Sequence, residues 1–432
     1  MFLRITSAAL IMVFVSSFAL RADSQKDEVD TSIVNTSHLD RLYEKINVNG
    51  KDMAIVHIYA EAPDYNWTEA KGEGIACVDD VARAAIFYLR FFSVTNNASH
   101  LIKARLLYEF LFYMQAENGL FYNFINEDHS INKEGSNSKP LADWWSWRAL
   151  WAMGEAYKFF YERDKDFALR LQKSLIHGFH SIGEFINRYP TKTDLKGFRL
   201  PTWLPNRYAS DQAAVLIMAL TPFFQVSKDT LAKRYIENLS AGIMVMQAGD
   251  SLSFPFGAFL SWENTWHAWG SSQPEALLIS GDALKSKNYQ ESAKLALERF
   301  YDYLIKNNYL NEFSVVNDSA VNVSHFPQIA YGIGPMVTSC LEAGKVLNDP
   351  SFSEKGAKIA LWFLGQNAAG KTMYEAKTGR CFDGIVSEEK VNYNSGAEST
   401  IEALLALLAV ESNPQARKIL MDFFEESGKK KE

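Results

Sequence analysis

Apolar residues recur every three to four positions through most of the chain. The pattern covers residues 79–94, 101–115, 143–161, 164–187, 208–223, 228–246, 290–306, 325–347, 351–365, 397–410 and 414–425. That spacing places the apolar side chains on one face of a helix. Asp164 and Ser351 stand where helix N-caps are expected. Strand-like alternation is scarce, and 54–59 is its best instance. The helices also alternate in character. Segments 79–94, 144–157, 208–223 and 397–410 are rich in Ala, Leu and aromatic residues on nearly every face. Their successors carry charge along one side, as at Lys103 and Arg105 or Lys233 and Arg234. A helix that is apolar all round is buried, whereas one with a polar stripe lies outside. Inner and outer helices in alternation predict an all-α fold, an (α/α) toroid of six or seven helical hairpins. No Pro- or Gly-rich linker interrupts the pattern, so residues 23–432 are expected to form a single toroid domain, although 432 residues alone suggest two or three. In such a ring the first turns of the buried helices, and the loops before them, face a central hollow. Chemistry is expected there.

Residues 1–22 read as a signal peptide: Arg4 precedes an apolar run from 5 to 20, and Ala22 offers a small residue for cleavage. The mature chain is expected to be secreted or periplasmic, with no membrane span. Lys plus Arg is 44 and Asp plus Glu is 51, a net charge of −7. That balance argues against a nucleic-acid partner, which requires a basic face. Cys77, Cys340 and Cys381 allow one disulfide at most and form no zinc pattern. There is no HExxH motif, phosphate-cradling glycine loop or G-x-S-x-G elbow, so neither a metal nor a cofactor is implied.

Unusual polar and aromatic residues gather at the expected helix mouths. Asp79 and Asp80 open an inner helix behind Glu73, with Arg83 one turn on. Capping and an Asp80–Arg83 pair account for one aspartate but not for two. Trp144 and Trp145 sit at the next mouth, suited to sugar stacking. Arg148 on the same buried helix needs an acidic partner in the protein or the substrate. Asn206 and Arg207 precede a third inner helix, where Arg207 either forks onto a substrate carboxylate or pairs with Asp211 four residues later. The segment Trp262-Glu263-Asn264-Thr265-Trp266-His267-Ala268-Trp269-Gly270 compresses three indoles, an acid, an amide and an imidazole into nine residues. A local helix there would set Glu263 beside His267 and tune it as a general base. His325 and Tyr331 mark a fifth mouth. Asn394 and Glu398 mark a sixth, where Asn394 and Ser395 supply the cap and leave Glu398 free for other work.

The mouths Cys77-Val78-Asp79-Asp80-Val81-Ala82-Arg83-Ala84, Trp147-Arg148-Ala149-Leu150-Trp151 and Asn394-Ser395-Gly396-Ala397-Glu398-Ser399-Thr400 resemble those of the six-hairpin glycosidase-like superfamily. The resemblance implies an (α/α) toroid whose members are glycoside hydrolases and polysaccharide lyases. Within it the chain looks somewhat like the toroid uronate lyases, which use Tyr, His, Asn and Arg. The residues that correspond in kind are Asn206, Arg207, His267 and Tyr331. A polysaccharide or oligosaccharide substrate follows from either chemistry. Elimination would take Arg207 with Asn206 or Asn264 to neutralise a uronate, and His267 or Tyr331 as base and acid. Hydrolysis would take Glu263 or Glu398 paired with Asp79 or Asp80. The balance of His, Tyr, Asn and Arg against acids tips the reading narrowly to elimination. A non-catalytic glycan-binding protein would keep the stacking rings, Trp144, Trp145, Trp266 and Trp269, and dispense with His267 and Tyr331.

Overall fold

A computed structural model of the chain describes residues 32–69 and 71–429, so the segment read as a signal peptide lies outside the described residues. A short helix, α1 (Ser37–Leu42), and a hairpin of strands Tyr43–Val48 and Lys51–Val56 come first. Six helical hairpins follow. The first three are α2 (Val78–Thr95) with α3 (Ala98–Met114), α4 (Trp144–Phe160) with α5 (Lys165–Ile186), and α6 (Ser210–Ser227) with α7 (Thr230–Val245). In the fourth, α8 (Gln273–Leu284) returns through α9 (Lys287–Leu295), a π turn and α10 (Tyr301–Lys306). The last two are α11 (Ala330–Val346) with α12 (Pro350–Ala360), and α13 (Ala397–Glu411) with α14 (Pro414–Lys429).

The first helix of each hairpin packs against the first helix of the next: α2 on α4, then α6, α8, α11 and α13, which closes back on α2. The expected (α/α) toroid is the observed fold, with six hairpins. Burial explains the ring. Residues 399–408 of α13 are all buried, so no face of that helix meets water. Each fully buried Leu, Ile or Phe contributes on the order of 1.5–3 kcal/mol. The second helices keep charged stripes outward, as with Arg170 on Glu109 across α5 and α3. α4 and α6 pack closely. A Cβ added at Gly154 would stand 2.1 Å from the Ala219 carbonyl oxygen, so the two backbones touch there.

One inner helix, α8, escapes the sequence pattern. Pro274 sits in its first turn, where a missing N–H costs nothing, and Gly281 interrupts its apolar face. The helix expected from His325 begins instead at Ala330, after an extended stretch holding Phe326-Pro327. The three cysteines are free and buried, and no disulfide joins them. Among the described residues no helix is long and apolar enough to cross a membrane. The loops that carry the chain from each outer helix to the next inner one hold most of the short strands, including Thr265–His267, Glu312–Val316 and Ser319–Ser324. These loops surround the N-terminal ends of the inner helices.

Candidate active site

Two arginines organise the floor of the hollow. Arg83 is 1% exposed and gives Nη1 to Glu402 at 2.9 Å. Its Nη2 reaches Asp80 at 2.7 Å and Glu398 at 3.1 Å. Arg148, on α4, pairs with Asp79. The Tyr331 ring lies between them, 5.1 Å from the Arg83 guanidinium and 4.6 Å from that of Arg148. Four carboxylates therefore share two cations, and they come in two layers. The Asp79 and Glu398 side chains are 22% and 44% exposed, whereas those of Asp80 and Glu402 are 4% and 8%. The open carboxylates face the cleft, and the closed ones lie beneath the Arg83 guanidinium. One oxygen of Asp79 is buried and without a hydrogen-bond partner. An unsatisfied buried acceptor is costly.

The electrostatics follow from burial. Desolvation lifts the Asp80 carboxyl to about 6, against the pull of Arg83. Desolvation also raises Glu402, opposed by the same guanidinium. It raises the Tyr331 hydroxyl as well, with Arg148 pulling the other way. Burial alone would lower both arginines, but the surrounding carboxylates outweigh it and hold them charged. Cys77 caps α2, accepting from the Asp80 N–H at 3.4 Å and donating its thiol to the Asp80 carboxylate at 3.2 Å.

A second network forms the adjoining wall. His267 Nε2 lies 3.0 Å from the Asp211 carboxylate, and Nδ1 lies 2.8 Å from the Trp269 carbonyl oxygen. Protein oxygens flank both nitrogens, so each is engaged within the protein while these contacts stand. Trp269 stacks on the imidazole at a centroid distance of 3.6 Å and meets Trp144 at 5.6 Å. Trp144 in turn lies 5.0 Å beneath Arg148. Gln212 ties this second network to α4, its backbone N–H donating to the Asp211 carboxylate at 2.6 Å. Its amide donates to Asp143 at 3.0 Å, and its carbonyl accepts the Trp147 indole N–H at 2.9 Å. Gly270 permits the close approach of the walls: a Cβ there would stand 2.7 Å from the Tyr331 hydroxyl and 2.9 Å from the Trp144 ring.

The structure thus brings Asp79, Asp80, Arg148, Trp144, Tyr331 and Glu398 to one place, with His267 and Trp269 alongside. Other expected positions lie elsewhere. Glu263 does not orient His267, because residues Thr265–His267 form a strand and Glu263 sits in a turn at φ 51° with its carboxylate on Lys196 at 2.7 Å. Arg207 cannot pair with Asp211 in helical register. It precedes α6, has φ 72° and is exposed, while Asp211 turns inward to His267. Asn206 is exposed too, and its carbonyl accepts the Trp262 indole at 3.4 Å. Trp266 is 1% exposed and packed against Phe300 and Phe313, a core residue and not a stacking platform. Trp145 is buried with its indole N–H on the Phe121 carbonyl. Asn264 is tied to Val315 through side chain and backbone. Asn394 accepts the Ala62 N–H at 3.1 Å, and His325 is exposed in the loop before α11.

The expected Asp80–Arg83 pair is present, but the further partner Glu402, and Gln212 and Asp143 on the adjoining wall, were not expected from the sequence. Glu402 carried a usable signal: an acid one turn beyond Glu398, within the run Ile401-Glu402-Ala403-Leu404-Leu405, must be buried and must find a cation.

No known family model matches the chain, nor does any curated protein. Solved structures do. A sugar epimerase from a ruminal bacterium superposes with a TM-score of 0.59 at 13% identity, over 89% of this chain and 97% of that one. Cellobiose 2-epimerase from Spirochaeta thermophila gives 0.56 at 13% identity, over 84% and 90%. A GH76 α-1,6-mannanase from Salegentibacter gives 0.52 at 10% identity, over 86% and 95%. The fold shared with these structures is the (α/α) toroid. At these identities the likeness is one of architecture.

Proposed function

We propose that this protein is a carbohydrate-active enzyme that hydrolyses a glycosidic bond in a polysaccharide or oligosaccharide, with Asp79 and Glu398 as the reacting carboxylates. The observation that carries this reading is the layered floor. Two cleft-facing acids are each held by an arginine, and Arg83 is itself braced by the buried acids Asp80 and Glu402. Hydrolysis requires one carboxyl to protonate the leaving oxygen and another to attack the anomeric carbon or to activate water. Arg83 and Arg148 fix the geometry of both, and Trp144 and Trp269 offer ring faces beside them. An inactive variant of the Salegentibacter mannanase carries two adjacent aspartate-to-asparagine changes. Asp79-Asp80 is the one adjacent aspartate pair in this sequence.

Elimination on a uronate glycan is the second reading. It rests on Tyr331, a hydroxyl-bearing ring held between two guanidiniums that would also suit a substrate carboxylate. His267, the base first favoured for that chemistry, is committed at both nitrogens.

Incubation with a panel of neutral and acidic glycans separates the readings. New reducing ends without ultraviolet absorbance are expected, and Asp79→Asn or Glu398→Gln should cut the rate by roughly 10²–10⁴-fold in a folded chain. Absorbance from a conjugated double bond would establish elimination instead. Neither signal across the panel would overturn both readings and leave a glycan-binding protein or a sugar epimerase.

A further inference from the structure

The inner helices have a second end. Where α2, α4, α6, α8 and α11 run on from the acidic cleft, their later turns surround a cavity of about 450 Å³. That volume falls within the roughly 300–1,000 Å³ of small-molecule sites. Its charges are mostly matched within the protein. Arg90 forks onto Glu155, and Lys345 holds Glu342 at 3.1 Å. Burial raises Glu275, which accepts the Thr338 hydroxyl at 2.6 Å, to about 7. No strong field there selects a charged ligand.

What the cavity wall leaves open is neutral hydrogen bonding beside an indole. Thr221 is 1% exposed and lines the cavity, yet its hydroxyl has no partner. A helical Thr ordinarily donates to the carbonyl four residues back, as Thr95 does to Phe91. Pro222, next along α6, has no N–H to give the Met218 carbonyl, so an acceptor is loosened on the same wall. Trp151 lines the cavity with its indole N–H placed on Glu155 at 2.7 Å and the Arg90 guanidinium 5.8 Å from its ring centroid, so at most one ring face is left for stacking. Arg90, Trp151 and Glu275 also wall a small chamber of about 30 Å³ that reaches Tyr331 and Glu402, so a thin layer of side chains divides this cavity from the cleft.

We propose that this cavity is a second ligand site, separate from the cleft, for an uncharged polyhydroxyl compound of mono- or disaccharide size. A sugar ring supplies the hydrogen-bond partner that the Thr221 hydroxyl lacks, and an apolar face for Trp151. The proposal does not depend on which reaction the cleft performs.

Calorimetric titration of the full chain with D-glucose, D-mannose and cellobiose tests it. At least one probe should bind, with affinity weakened roughly tenfold by Thr221→Val, the worth of one hydrogen bond. Ser93→Trp, at an exposed position on the cavity wall, should abolish that binding, and Asp79→Asn should leave it intact. If Thr221→Val misfolds by circular dichroism, Ser93→Trp alone decides. The proposal is overturned if none of the three sugars binds. It is equally overturned if binding is unchanged in Ser93→Trp, whatever Asp79→Asn does.

Discussion

A buried guanidinium is stable only when its charge is answered, and Arg83 is answered three times over. The same contacts make it the residue on which the site's geometry hangs. Arg83→Met would leave Asp80 and Glu402 buried without their cation. We expect a loss of about 3–5 kcal/mol in urea denaturation, the cost of removing one partner from a buried ion network. A loss under about 1 kcal/mol would mean that the carboxylates relax onto water. Sequence reasoning marked Asp79, Asp80, Arg148, Tyr331 and Glu398 because their types are anomalous at the mouths of apolar helices. It could not assign partners, since Arg83 and Glu402 are separated by 319 positions and meet only when the ring closes. The Glu263–His267 pairing failed for a local reason: spacing of four implies contact only on a helix, and Thr265–His267 is a strand.

Among the elements, the inner helices pack closely where small residues allow it. Gly154→Ala would drive a methyl group into the Ala219 backbone, which no rotamer change can avoid. Overpacking of this kind costs about 1–3 kcal/mol, so the thermal midpoint should fall by several degrees. An unchanged midpoint would show that α4 and α6 can part without loss. Helical period was readable for nearly every long element because apolar residues must recur on the buried face. The exception, α8, carries Pro274 in its first turn and Gly281 within its apolar face, which obscure its period. Helix starts were read less well than helix bodies. The mouth before α11 is polar and extended, and only its contacts with the loop at Ile385 fix where the helix begins.

Over the whole molecule, the closed ring traps titratable groups away from water and so gives its stability a pH dependence. Glu275 rises from an ordinary 4.5 to about 7, chiefly through burial. The folded chain therefore holds this proton more tightly than the unfolded one. The contribution is complete below the unfolded value and is lost as pH climbs through about 7, a change on the order of 3 kcal/mol. Asp80, at about 6, acts in the same direction. Thermal midpoints measured from pH 4 to 8 should decline, and Glu275→Gln, which keeps a side-chain acceptor for Thr338, should flatten that slope. An identical slope in the variant would place the titration elsewhere. By itself the sequence determined the helices, their inner and outer alternation, and hence the toroid, because apolar periodicity is local and burial follows from it. The tertiary structure alone decided which anomalous residues share a site. Partners such as Arg83 with Glu402, or Asp211 with His267, are joined by ring closure and loop path, and neither leaves a mark in the spacing along the chain.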